Sequence, residues 1–168
     1  MTSILSSQSE PPVCDGICEE RLCGRMKQEL RFFSFLENAE LDEIAAYFEC
    51  RQVPAGQYLW KEHSPGNYVA LLINGRVEVS KGTDLKGNVV VGVYSRGASV
   101  GELSLLDGSP RAESVLAIDH VDLIFLTRES FQRLISEHPD IGVRLLEGLL
   151  MTVSRRLKKS FERLASIF

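Results

Sequence analysis

The run Gly101-Glu102-Leu103-Ser104-Leu105-Leu106-Asp107-Gly108-Ser109-Pro110-Arg111-Ala112-Glu113-Ser114-Val115 gathers in one short stretch the residue types that hold an anionic ligand. Gly101 permits close backbone approach, the N–H groups of a short helix opening near Glu102 point outward as donors, and Arg111 supplies a planar cation. Glu102 at the same mouth repels a phosphate, so its use is to accept hydrogen bonds from hydroxyls beside the charged group. A sugar phosphate combines those features. Taken alone, Glu102 and Arg111 would be an ordinary surface ion pair.

Other chemistries find less support. His63, His120 and His138 are widely separated with no His-x-His pair, which argues against a metal site of the cupin-like kind. No Walker-type loop occurs and no catalytic residue is assigned, so an enzyme is not expected. Cys14, Cys18 and Cys23 lie close together and Cys50 stands apart. Four thiolates are loosely compatible with zinc or an iron–sulfur centre, but the plainer reading is reduced, inert thiols on a short helix. No metal and no cofactor are expected.

The elements that must position the cassette are legible from periodicity. Residues 1–18, beginning with the Ser/Gln/Pro-rich Met1–Pro12, read as a disordered tail. Residues 19–48 read as N-terminal helices. Leu22, Met26, Leu30 and Phe33 recur at helical spacing from Glu19 to Phe35, and a second helix runs from Glu40 to Phe48 with Asn38 as its cap. Residues 49–127 carry short β-rich runs between turn residues: 57–60, 68–73, 76–80, 89–94, 114–118 and 121–126. Asn74-Gly75 reads as a hairpin turn. Residues 128–168 return to helix, with Thr127 as an N-cap and Pro139 opening a long final helix. On that helix Leu146, Leu150, Val153, Leu157, Ser160, Leu164 and Ile167 form a heptad seam that faces a partner helix or packs on the β-rich portion.

Composition narrows the partners. The chain has 168 residues, 44% hydrophobic and 25% charged, enough for one domain and a tail. Its net charge of −4 argues against a dedicated nucleic-acid binder. The basic cluster Arg155, Arg156, Lys158, Lys159 and Arg163 reads as a solvated helix face or a docking surface for the acidic N-terminal portion. No apolar run approaches the ~20 residues of a membrane span, and no secretory leader is evident, so a cytoplasmic protein without membrane contact is expected.

The cassette resembles the phosphate-binding cassette of the cyclic nucleotide-binding domain family, which includes the catabolite activator protein and the regulatory subunits of cAMP-dependent protein kinase. That family reads approximately G-E-L-x-L, a spacer, then R-[AST]-A-[TS]-V. Gly56, Pro65-Gly66 and Gly75 keep the family's glycine spacing, and the resemblance covers roughly Phe33 to Leu164. It implies an α+β chain: a β-roll (double-stranded β-helix or jelly roll) flanked by N-terminal helices and a long C-terminal helix. It implies that Glu102 accepts from the ribose 2′-hydroxyl, and that Arg111 pairs with the exocyclic phosphate oxygens. Backbone donors near Leu103, Ser104 and Ala112 would complete the cradle that Gly101 opens. Ala112, where cGMP-preferring members often carry Thr, leans toward cAMP. Ser160 and Phe161 align with base-contacting positions of the long helix.

Two positions depart from the pattern. His63-Ser64 replaces a usual Gly-Asp, and Glu113 stands where a small residue is usual, either pairing with Arg111 or adding negative charge beside the phosphate. The expectation is a stand-alone sensor of cAMP or a related cyclic nucleotide. It would form a homodimer through the C-terminal helix, signal to an unidentified effector protein, and make no direct DNA contact. The alternative is a degenerate, ligand-free interaction or dimerisation module.

Overall fold

The computed structural model describes residues 30–83 and 87–167. The expected tail, most of the first helix with Leu22 and Met26, and Cys14, Cys18 and Cys23 therefore lie outside the described residues. Where that helix was expected to continue, Arg31–Phe33 is a 3-10 turn whose Phe32 and Phe33 are buried. Helix α1 spans Asn38–Ile44 and runs into a second 3-10 turn, Ala45–Tyr47. Its cap is Glu37 rather than Asn38, through a reciprocal box in which the Glu40 side chain accepts from the Glu37 N–H at 2.8 Å.

Among the described residues eight strands follow: β1 Glu49–Val53, β2 Tyr58–Trp60, β3 Tyr68–Asn74, β4 Val77–Thr83, β5 Gly87–Tyr94, β6 Ser99–Val100, β7 Ser114–Ala117 and β8 Val121–Thr127. They form two four-stranded antiparallel sheets in the orders β1-β8-β3-β6 and β2-β7-β4-β5. The Asn74-Gly75 turn does not close a ladder. It carries the chain from one sheet to the other, since β3 and β4 do not pair. Gly75 adopts φ 81°, and a Cβ there would lie 3.0 Å from Val121 Cα, so both the twist and the packing require glycine.

β3 and β8 are the central strands of their sheet, and both faces of each are buried. Val69, Leu71, Ile73, Ile124 and Leu126 face the helices, while Ala70, Leu72, Leu123 and Phe125 face the opposite sheet. This explains why both read as unbroken apolar runs rather than alternating ones. β1 and β6 escaped the sequence reading because β1 (Glu-Cys-Arg-Gln-Val) is mostly polar and β6 has two residues. Cys50 on β1 is disulfide-bonded, so the expectation of a reduced thiol is not met at this residue.

Three more helices follow among the described residues: α2 Glu102–Asp107, α3 Arg128–Glu137 and α4 Pro139–Ala165. Thr127 caps α3 by accepting from the Ser130 N–H at 3.1 Å, as its residue type predicts. α4 buries Ile141, Leu145 and Leu149 in the helix-side core, and Gly148 lets it approach the Phe32 carbonyl. Its heptad seam is not packed on the sheets: Leu150 is 65% exposed and Ile167 74%. Among the described residues no helix is long and apolar enough to cross a membrane.

Candidate nucleotide site

The cassette begins where β6 ends. Gly101 caps α2 with φ 86°, and a Cβ there would run into Arg111 Nη1 and lie 3.0 Å from the Tyr68 carbonyl. A side chain at Gly66 would likewise meet Ser104 Cβ and Oγ at 2.5 Å and Arg111 Cδ at 3.0 Å. The two glycines thus allow the loop before β3 and the start of α2 to close around the arginine.

Arg111 is 1% exposed. Backbone pairing places it: its N–H donates to the Ser64 carbonyl at 2.9 Å, and its carbonyl accepts from the His63 N–H at 2.8 Å. His63 stands at φ 67°, so the loop keeps a left-handed residue without glycine, at a cost of roughly 1–2 kcal/mol. The Arg111 guanidinium donates through Nη1 to the Tyr68 carbonyl at 2.8 Å and lies near the Gly101 carbonyl at 3.4 Å. Its centre sits 3.8 Å from the Trp60 ring centroid and 4.4 Å from that of Tyr68. Among the described residues it joins no salt bridge. Burial holds its pKa below the usual arginine value, yet an arginine stays cationic at neutral pH.

Glu102 is buried as well, at 3% exposure, and its partner is not Arg111. It accepts from Ser99 Oγ and, at 2.8 Å, from Nη1 of Arg156 on α4. Arg156 also donates to the Ser99 carbonyl, and its guanidinium centre lies 4.8 Å from the Tyr94 ring centroid. The basic cluster is therefore not uniformly a solvated face. Arg156 is tied to the cassette, and Arg163 donates to the Val91 carbonyl of β5 at 3.2 Å.

The other expected residues are placed as follows. Ser104 is buried and Leu103 exposed, while the Ala112 carbonyl accepts from Lys81 Nζ at 2.7 Å. Lys81 in turn pairs with Glu62 at 3.1 Å. Ser160 lies one turn beyond Arg156 on the same helix face and donates to the Arg156 carbonyl at 3.0 Å. Phe161 is exposed. The contact from α4 to the cassette is made by Arg156. Glu113 is half-buried, and that burial raises its pKa above the usual carboxylate value; Arg156 opposes the shift and Glu102 adds to it.

Sequence reasoning missed Trp60, Tyr68 and Arg156 as site residues. Trp60 and Tyr68 read as core and strand, and one arginine in a basic run carries no local signal.

The chain is a β-roll of two antiparallel sheets, interrupted by a short helix that opens on a buried glutamate and is followed by a buried arginine. The cyclic nucleotide-binding domain family matches residues 50–138, and the chain belongs to that family. The chain is 38% identical over 121 residues to a cAMP-dependent protein kinase regulatory subunit of Aspergillus fumigatus, covering 72% of this chain and 29% of the relative. It is 35% identical over 113 residues to the lysophospholipase nte1 of Aspergillus terreus, covering 67% of this chain and 7% of that protein. The chain thus spans less than a third of the curated relatives it matches here. A cyclic nucleotide-binding domain from Methylobacillus flagellatus superposes with a TM-score of 0.83 at 26% identity, covering 88% of this chain and 85% of that one. The matched family is a ligand-binding domain rather than a catalytic one.

Proposed function

We propose that this chain is a sensor of cAMP or a closely related cyclic nucleotide, without chemistry of its own, that signals through α4. The observation that carries the reading is Arg111: a fully buried cation with no carboxylate partner among the described residues, packed against Gly66 and Gly101 of the cassette. Burying such a charge is costly unless an anion compensates it. A cyclic phosphate fits that requirement, and Gly101, Leu103, Ser104 and Ala112 lie along the cradle the resemblance assigns to it. Glu102 would accept from the ribose 2′-hydroxyl, and Ser160 and Phe161 would face the base.

Because Arg156 occupies Glu102 and belongs to α4, a ribose hydroxyl reaching Glu102 competes with the helix for the same carboxylate. That competition supports output through α4, toward a second copy of the chain or an effector protein.

Calorimetric titration with cAMP, cGMP and cyclic dinucleotides tests the reading. Saturable heat with cAMP is expected. Glu102→Gln weakens cAMP binding, and the penalty largely vanishes with the 2′-deoxy ligand. No heat with any of these nucleotides overturns the proposal. The half-buried carboxylate of Glu113 favours the second reading, a degenerate site in a ligand-free interaction module, and that outcome would support it.

A further inference from the structure

Among the described residues, three buried side-chain N–H groups have no protein acceptor: Trp60 Nε1, Arg111 Nε and Arg111 Nη2. All belong to one contact, since the guanidinium centre lies 3.8 Å from the indole centroid. Buried donors in folded proteins are almost always paired, so three orphans in a single stack call for an explanation that packing does not give. An indole N–H is a donor only, and Arg111 offers no acceptor to it.

The backbone aims Trp60 at this place. β2 pairs with β7, and the register shifts between Tyr58 and Trp60, so the strand re-aims its last side chain beside the segment that carries Arg111. The far edge of the indole would lie 3.1 Å from a Cβ on Gly101, and the ring meets Tyr68 edge-on at 5.4 Å. Trp60 therefore touches Arg111, Gly101 and Tyr68 together. Its neighbours in the inter-sheet core are mostly valine, alanine and leucine, side chains without a polar atom.

We propose that Trp60 is a binding residue of the nucleotide site: its indole N–H donates, with Arg111 Nε and Nη2, to the anionic oxygens of the ligand's phosphate. Its ring face holds the guanidinium in the plane from which those two donors act. This rests on the reading of the cassette as a cyclic nucleotide site, and goes beyond it by assigning the phosphate a third side-chain donor from β2.

Trp60 is the one tryptophan of the chain, so intrinsic emission reports on it alone. Titration of the wild type with cAMP should change that emission with the same midpoint as the calorimetric heat, while adenosine, which lacks the phosphate, leaves it unmoved. Trp60→Phe keeps an aromatic face but removes the donor, and should weaken cAMP about ten- to a hundredfold, as the loss of one charge-assisted hydrogen bond does. Saturating cAMP heat with unchanged emission, or with unchanged affinity in a folded Trp60→Phe, overturns the assignment and leaves nucleotide binding intact. Absence of heat with cAMP and every other cyclic nucleotide overturns both. The emission measurement uses the wild type, so it decides even if the variant does not fold.

Discussion

Arg111 keeps its charge in a buried position because two aromatic faces and two backbone carbonyls surround it. Glu113, two residues on, is instead a carboxyl that its surroundings push toward the neutral form. A carboxyl whose folded pKa lies above its unfolded value binds its proton more tightly in the native state. Its contribution to stability is therefore lost as pH rises from the ordinary carboxylate range through the raised value. Glu113→Gln should match the wild type in thermal melts near about pH 4 and exceed it increasingly toward about pH 8. A constant difference across that range would mean that the charge is not the cause. Removing the charge beside the proposed phosphate site should also tighten cAMP binding, whereas a loss of affinity would make Glu113 a ligand contact. This cassette was legible in the sequence because its glycines, glutamate and arginine fall within fifteen consecutive residues from Gly101 to Val115. The partners of Arg111 and Glu102 were not, because Trp60 and Arg156 come from distant elements and only the fold brings them in.

At the scale of elements, α4 is fastened twice along one face, seven residues apart. Arg156 reaches Glu102 and Ser99, and Arg163 reaches the Val91 carbonyl. The second tie depends on an irregularity. β4 and β5 pair Val79 with Gly92 and then Ser80 with Val90, so Val91 is an extra residue in β5. Nothing in the valine run betrays such a bulge. Likewise Asn74-Gly75 reads as a hairpin because its turn chemistry is local, while the choice of sheet for the next strand is a tertiary matter. Arg156→Ala strips the buried Glu102 of its cation, which should destabilise the domain by about 2 kcal/mol and raise hydrogen exchange in the second half of α4. Arg155→Ala, a neighbour in the basic run without a role in the Glu102 contact, should change neither. Equal effects from the two substitutions would contradict the latch.

For the molecule as a whole, α4 carries an exposed apolar stripe. Leu150, Leu157, Leu164 and Ile167 are each more than half exposed, although burying such a side chain is worth about 1.5–3 kcal/mol. A second α4 would cover them in a left-handed seam with Ser160 as its polar position. Sedimentation should therefore show a wild-type dimer and a Leu150→Asp/Leu157→Asp monomer, and a wild-type monomer would contradict that arrangement. Underneath both the dimer and the latch lies one claim, that Arg111 is buried in order to hold a cyclic phosphate. It is tested most directly by calorimetric titration of cAMP into wild type and Arg111→Ala, with circular dichroism confirming that both are folded. The account predicts saturable binding to the wild type, weakened at least a hundredfold in the variant. Equal affinity in the two folded proteins would contradict it.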